Sequence, residues 1–102
     1  MYKLVITELA QNDLDGIVSY ITVSLANPAA AGSFLDELAK CYGNLKDNPF
    51  IYAKSSDMRL EKEGYRKALV KSYVIIFKIF EQQKTVVVYR IFYSASYYFK
   101  LV

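Results

Sequence analysis

Gly64 to Val102, GYRKALVKSYVIIFKIFEQQKTVVVYRIFYSASYYFKLV, is the stretch whose reading decides the fold. It holds three runs rich in β-branched and aromatic residues, Tyr65–Val70, Tyr73–Phe80 and Thr85–Tyr93. Such side chains suit a pleated, half-buried surface better than a helix. The connections Lys71-Ser72 and Glu81-Gln82-Gln83-Lys84 are short and polar, so consecutive runs pair antiparallel as a meander. Neither Lys71 nor Ser72 favours the positive φ of a primed turn, which makes the register weakest there.

The simplest registers assign side chains to faces, because alternate residues of a strand point to opposite sides. The four-residue loop sets Phe80 opposite Thr85, and hence Phe77 opposite Val88 and Ile75 opposite Arg90. A two-residue turn sets Val70 opposite Tyr73, so Ala68 meets Ile75 and Arg66 meets Phe77. One face then carries Arg66, Ala68, Val70, Tyr73, Ile75, Phe77, Val88, Arg90 and Phe92. Lys67, Leu69, Val74, Ile76, Lys78, Val87, Tyr89, Ile91 and Tyr93 fall on the other. Arg66 and Arg90 are expected to share the face that no helix covers. Read by residue type alone, each arginine is a solvated group at the sheet margin.

Upstream, Tyr2–Ile6 reads as a short first strand and Thr7 as a helix N-cap. Leu14, Ile17, Val18, Ile21 and Leu25 recur at the spacing of one helix face, with Gln11, Asp13, Asp15 and Ser19 on the wet side. Gly16 interrupts that helix, and a close approach of another element would explain it. Asn27-Pro28 restarts the chain, and Phe34, Leu35, Leu38, Cys41, Tyr42 and Leu45 stripe a second helix that ends at Asn48-Pro49. Helices over residues 8–26 and 28–47 thus form a hairpin able to cover one face of the sheet. Met58-Arg59-Leu60 reads as a short edge segment, and Glu61-Lys62-Glu63 as a solvated turn.

With 102 residues and 54% hydrophobic content, the chain is expected to be one α+β domain spanning 1–102: a strand and helical hairpin packed on an antiparallel sheet. No apolar run reaches the length of a membrane span and the opening Met1-Tyr2-Lys3 leads straight into a strand, so no membrane association and a cytoplasmic location are expected. Cys41 stands alone and histidine is absent, which removes a zinc centre and a histidine base; no cofactor and no metal are expected. Cys41 lies on an apolar stripe and reads as core.

Charge is unevenly spread. Residues 1–58 hold four Lys/Arg against seven Asp/Glu, and residues 59–102 hold nine against three, giving −3 and +6. The basic sheet half points to a polyanion or an acidic protein partner. Tyr93, Tyr97, Tyr98 and Phe99 are aromatics of the kind that stack on nucleobases beside arginine. Helical spacing instead packs Tyr98, Leu101 and Val102 onto the body, which is the reading preferred here.

The order strand, helical hairpin, three-stranded meander and aromatic tail resembles the RelE/ParE superfamily of bacterial type II toxin–antitoxin toxins. Asn12–Ile21 (NDLDGIVSYI) is similar to the ParE-side pattern on the first helix. Gly64–Phe77 together with Val86–Tyr98 is similar to the family's glycine-aromatic-arginine opening and its Arg-Ile-aromatic strand end. The resemblance implies either a gyrase inhibitor that needs no catalytic set or a ribosome-dependent mRNA endonuclease. For the latter it implies Arg66, Arg90 and Tyr93 as the catalytic residues, cations to stabilise the phosphate and a group to activate the ribose hydroxyl. Ala68 and Val74 stand where such nucleases can carry a lysine and an arginine, and Ser94-Ala95-Ser96 replaces an arginine-bearing stretch. The balance therefore favours the ParE side, with a toxin-fold binding module that has lost activity as a third reading. A cognate acidic antitoxin is the implied partner. It is expected across the bare sheet face, on Val70, Ile75, Phe77, Val88 and Phe92, pairing with Arg66, Lys71 and Arg90.

Overall fold

The computed structural model describes residues 1–96 and 98–101, apart from the side chain of Phe99. Along the chain run β1 (Lys3–Ile6), α1 (Glu8–Ser19), α2 (Pro28–Asp47), α3 (Met58–Lys62), β2 (Arg66–Val70), β3 (Tyr73–Phe80) and β4 (Thr85–Tyr93). The three composition-rich runs are strands, and they pair as an antiparallel meander. β1 adds in parallel beside β4, giving the order β1-β4-β3-β2. A parallel neighbour needs a long crossover, which the helices and the first two meander strands supply.

Local chemistry accounts for the helix boundaries. The Thr7 hydroxyl accepts from the Ala10 amide at 3.1 Å and donates to the Tyr89 carbonyl at 2.8 Å, so one side chain caps α1 and ties it to β4. Asn27 caps α2 by accepting from the Ala30 amide, with Pro28 in the first turn. The first helix does not stay α-helical to residue 26. Its last stretch, Tyr20–Ser24, is a π-turn in which the Leu25 amide donates to the Tyr20 carbonyl, and Ala26 closes it at φ 48°. Such widened turns recur beside functional surfaces because they re-aim the side chains they carry.

Both helices lie on one side of the sheet, as expected, but on the face opposite to the one assigned from sequence. Ala68, Val70, Ile75, Phe77 and Val88 are buried at 3% exposure or less, packed with Phe34, Leu38 and Leu45 of α2. The expected bare apolar face is therefore the core. The wet face is the one with Lys67 and Lys78, where only Val74, Ile76 and Phe92 are buried, beneath Tyr65 and Tyr98. Two lysines among alternating apolar residues carry the higher desolvation cost, so the chain buries the other side.

The β2–β3 register agrees with the sequence reading, Val70 facing Tyr73 and Arg66 facing Phe77. Lys71 adopts the left-handed φ of 56° that the tight turn demands. β3–β4 pairs as expected only from Phe80–Thr85 to Phe77–Val88; beyond it Ile76 faces Arg90, so Tyr89 is the extra residue of a bulge. The bulge turns Ile91 into the core and Arg90 away from it.

Met58–Lys62 is a helix capped by Asp57, not an edge segment. Residues 53–55 guard the β2 edge instead: Lys54 bridges Arg66, and the Lys67 amide donates to the Ala53 carbonyl. Gly64, at φ 88°, makes the turn into β2. Tyr98 stacks on Phe92 at 5.8 Å, consistent with a tail packed on the body, whereas Leu101 is 63% exposed. Tyr97, Val102 and the Phe99 side chain, named above with the tail, lie outside the described residues.

Cys41 is buried, as its place on the stripe predicted, and burial pushes its thiol above the ordinary 9.0. Neighbouring Tyr42 is pushed up to about 12, first by burial and then by the nearby thiol, and its hydroxyl has no hydrogen-bond partner among the described residues. Both acids hold their protons longer in the folded chain than in the unfolded one. Stability is thus full below about pH 9 and is lost as pH rises through the Tyr42 range near 12. Urea midpoints measured from pH 8 to 12 should fall steadily; a flat or rising series would contradict the placement of both groups.

Candidate functional site

Arg66, Arg90 and Tyr93, the three residues picked for chemistry, are dispersed. Arg66 sits on the helix-covered side opposite Phe77; its Nη1 donates to the Tyr52 carbonyl at 2.8 Å and its guanidinium lies 5.2 Å from the Phe50 ring centre. Arg90 emerges on the other side, beside Phe92, because of the bulge. The expectation that the two arginines share a face is overturned. Tyr93 is 54% exposed and meets Tyr73 edge-on at 5.9 Å. The ladder sets Arg66 level with Phe77 and Tyr93 level with Tyr73. Four residues of strand and two strand spacings then separate them, roughly 13 Å by 10 Å.

Arg90 is held by a residue that sequence reading assigned to the wet side of α1. Asp13 accepts from Arg90 Nε at 2.8 Å and from Nη2 at 3.0 Å, and also from the Ile91 amide at 3.0 Å. The two side chains are 22% and 16% exposed. β1 ends at Ile6, opposite Val88, so among the described residues the rest of the β4 edge lacks a strand partner, and α1 covers it. Asp13 supplies the acceptor that a missing strand would have supplied. The Asp13 interaction raises the affinity of Arg90 for its proton, the direct hydrogen bond being the largest cause. Helical periodicity contains no trace of this role, because it depends on where β4 passes.

Between the first helix, its π-turn and the β2–β3 turn lies an open cleft of about 930 Å³. Ile17, Ile21, Phe34 and Ile91 line its interior, while Tyr20, Tyr73 and Tyr93 stand around it with Lys71 and Ser72 at the turn. The Tyr73 hydroxyl holds its proton above the ordinary range, through burial first and then through the closeness of Tyr20 and Tyr93. The Tyr73 phenol therefore keeps its proton at neutral pH and serves as a hydrogen-bond donor.

The wet sheet face carries a second arrangement. Tyr65 and Tyr89 meet edge-on at 5.5 Å, and Lys78 Nζ lies 4.3 Å and 5.7 Å from their ring centres. A cation held between aromatic rings stabilises the surface by about 0.5–1 kcal/mol and presents a basic, stackable patch. Among the described residues no group of three metal-ligating side chains occurs, and no helix is long and apolar enough to cross a membrane.

Of the partner-binding positions expected from sequence, Val70, Ile75, Phe77 and Val88 are in the core, and Phe92 is buried on the wet face beneath Tyr98. The alternation was right for Val70, Ile75, Phe77 and Val88 but not for Phe92, which the bulge turns to the opposite face, and the expected solvent exposure was wrong for all five. Lys71 alone of that set is exposed and lines the cleft.

Solved structures share this architecture. One, from a chromosomal ParDE toxin–antitoxin system of P. aeruginosa, is 22% identical with a TM-score of 0.69, covering 91% of this chain and 96% of that one. Another, from the RelBE2 toxin–antitoxin complex of Mycobacterium tuberculosis, is 23% identical with a TM-score of 0.63, covering 90% and 96%. At such identities the likeness speaks for the fold. No curated protein matches the sequence. The ParE toxin family of type II toxin–antitoxin systems (parDE), however, matches residues 4–98, nearly the whole length over which strand, hairpin, meander and tail were read. The chain belongs to the ParE toxin family of type II toxin–antitoxin systems.

Proposed function

We propose that this protein is a cytoplasmic toxin that inhibits DNA gyrase by binding it, without a catalytic set of its own, and that a cognate acidic antitoxin neutralises it. The observation that carries the reading is the dispersal of Arg66, Arg90 and Tyr93. Phosphodiester cleavage requires cations converging on one phosphate, with a proton acceptor in reach. Here both guanidiniums are committed, one to the Tyr52 carbonyl and one to the Asp13 carboxylate, on opposite sides of the sheet. An inhibitor that acts by occupying a protein surface has no such requirement. The solved relatives from ParDE and RelBE2 systems support the antitoxin half of the reading.

A ribosome-dependent mRNA endonuclease is the second reading. It draws on the wet face, where Lys78 between Tyr65 and Tyr89 suits a stacked base and its phosphate. The two are separated by purified protein in parallel assays: gyrase supercoiling with cleavage-complex trapping, and mRNA integrity on translating ribosomes. Gyrase inhibition with intact mRNA is the expected outcome. Ribosome-dependent cleavage that Lys78→Ala abolishes, with gyrase untouched, would overturn it in favour of the nuclease.

A further inference from the structure

A binder without a catalytic set needs a contact surface, and one is built at the end of the sheet far from the cleft. The Tyr2 amide donates to the Lys46 carbonyl and the Lys3 amide to the Lys84 carbonyl, both at 2.8 Å. The residue leading into β1 is thereby joined to the end of α2 and to the β3–β4 turn. The side chains there form one continuous row. Lys84 Nζ lies 4.9 Å from the Tyr2 ring centre, and Tyr2 meets Phe50 edge-on at 6.4 Å. The Arg66 guanidinium closes the row, 5.2 Å from the Phe50 ring centre. Phe50 is 45% exposed and its neighbour Ile51 58%. Adjacent large apolar side chains left in water between two cations mark an interaction surface.

Neither cation is spent on a carboxylate. Among the described residues Arg66 and Lys84 form no ion pair, although Asp47 and Glu81 lie in the adjoining turns. Lys84 is exposed and sits at φ 49°, where glycine would be less strained, so the turn itself does not call for a lysine. The identity of the occupant follows from what is left free. Each ring already carries a cation, and the two rings meet edge to face, which leaves little platform for a stacked base. The cations remain open to carboxylates, and Phe50 with Ile51 to an apolar side chain. That combination fits an acidic protein surface rather than a nucleic acid. β3 separates this end from the cleft by seven residue steps, roughly 23 Å, so occupying one leaves the other free.

We propose that this end of the chain is the surface that docks on gyrase. One apolar side chain of the enzyme lies against Phe50 and Ile51, and carboxylates beside it meet Lys84 and Arg66. The inference rests on the gyrase reading above and adds to it which surface makes the contact and the chemistry of the surface it meets. Apolar anchors at the centre dominate affinity, while a rim cation mainly adds salt-dependent attraction.

The test titrates the full chain against purified gyrase, free of DNA, at about 50 and 300 mM salt, with supercoiling inhibition read in parallel. Phe50→Ala and Ile51→Ala should each weaken binding about tenfold at both salt concentrations. Ile51, the more exposed of the two, serves if Phe50→Ala loosens the fold. Lys84→Gly relieves the positive φ and should keep the melting temperature at or above wild type. It should weaken binding about tenfold at low salt and about threefold at high salt. Leu9→Ala and Lys40→Ala, exposed on α1 and α2, should stay within about twofold of wild type. If gyrase binds wild type, Ile51→Ala and Lys84→Gly alike, this end is not the contact, and the gyrase reading survives without it. If gyrase neither binds wild type nor is inhibited by it, the gyrase reading fails and takes the inference with it. Losses that appear equally on duplex DNA alone would make nucleic acid the occupant and overturn the proposal.

Discussion

Phe77→Ala is expected to destabilise the protein by about 3–5 kcal/mol, the usual cost of emptying a phenylalanine site in a close-packed core. Phe77 has no exposed surface; it faces Val88 across β3–β4 and meets the Tyr52 ring edge-on at 6.0 Å. Its neighbours belong to a sheet clamped under two helices and have little freedom to collapse into the space. The loss is a large share of the roughly 5–15 kcal/mol typical of small proteins, and lowers the melting temperature by about 12 °C or more. Leu69, 65% exposed on the opposite face of β2, is the matched control, and Leu69→Ala should change stability by about 0.5 kcal/mol or less. Thermal melts of the two variants decide the matter. A Phe77→Ala protein that melts like wild type but fails to bind a partner would restore the sheet face as an interaction surface.

Asp13→Ala has the next largest expected effect, about 3 kcal/mol. It removes the acceptor of three hydrogen bonds, leaving the mostly buried Arg90 guanidinium unpaired and the Ile91 amide unsatisfied. Asp13→Asn keeps an acceptor for the Ile91 amide and should cost roughly half as much. The pair matters to function because a loss of toxicity in Arg90→Ala would otherwise be read as a lost catalytic group. A double-mutant cycle of Asp13→Asn with Arg90→Gln, followed by urea unfolding, should return a coupling of about 1 kcal/mol or more. A coupling near zero would mean that the contact contributes nothing and that Arg90 is free for other work.

The consequence for site assignment is that Arg66 and Arg90 act first as structural residues. Arg66 fastens the segment before α3 to β2 through the Tyr52 carbonyl, and Arg90 fastens α1 to the unpaired stretch of β4. Toxicity measured on variants at either position has to be normalised to the folded fraction.

What the sequence determined by itself is everything that depends on near neighbours. Strand identity in β2, β3 and β4, the caps at Thr7 and Asn27, the span of α2 and the short meander turns follow from side-chain shape and hydrogen bonds over three or four residues. Alternation correctly grouped Ala68, Val70, Ile75, Phe77 and Val88 on one face. Only the tertiary structure decided which face was dry, since that is a competition between two surfaces for one helical hairpin. The lysines at 67 and 78 tilted that competition, and the arginines were the wrong guide to it. The bulge at Tyr89 was equally out of reach, because it arises where β1 stops and α1 takes over the edge of β4. Asp13 lies 77 residues from Arg90, and Gly16, Tyr20 and Lys71 meet around one cleft only after that edge is closed. Period and propensity act along the chain, whereas a site joined across such separations depends on the packing that brings its parts together.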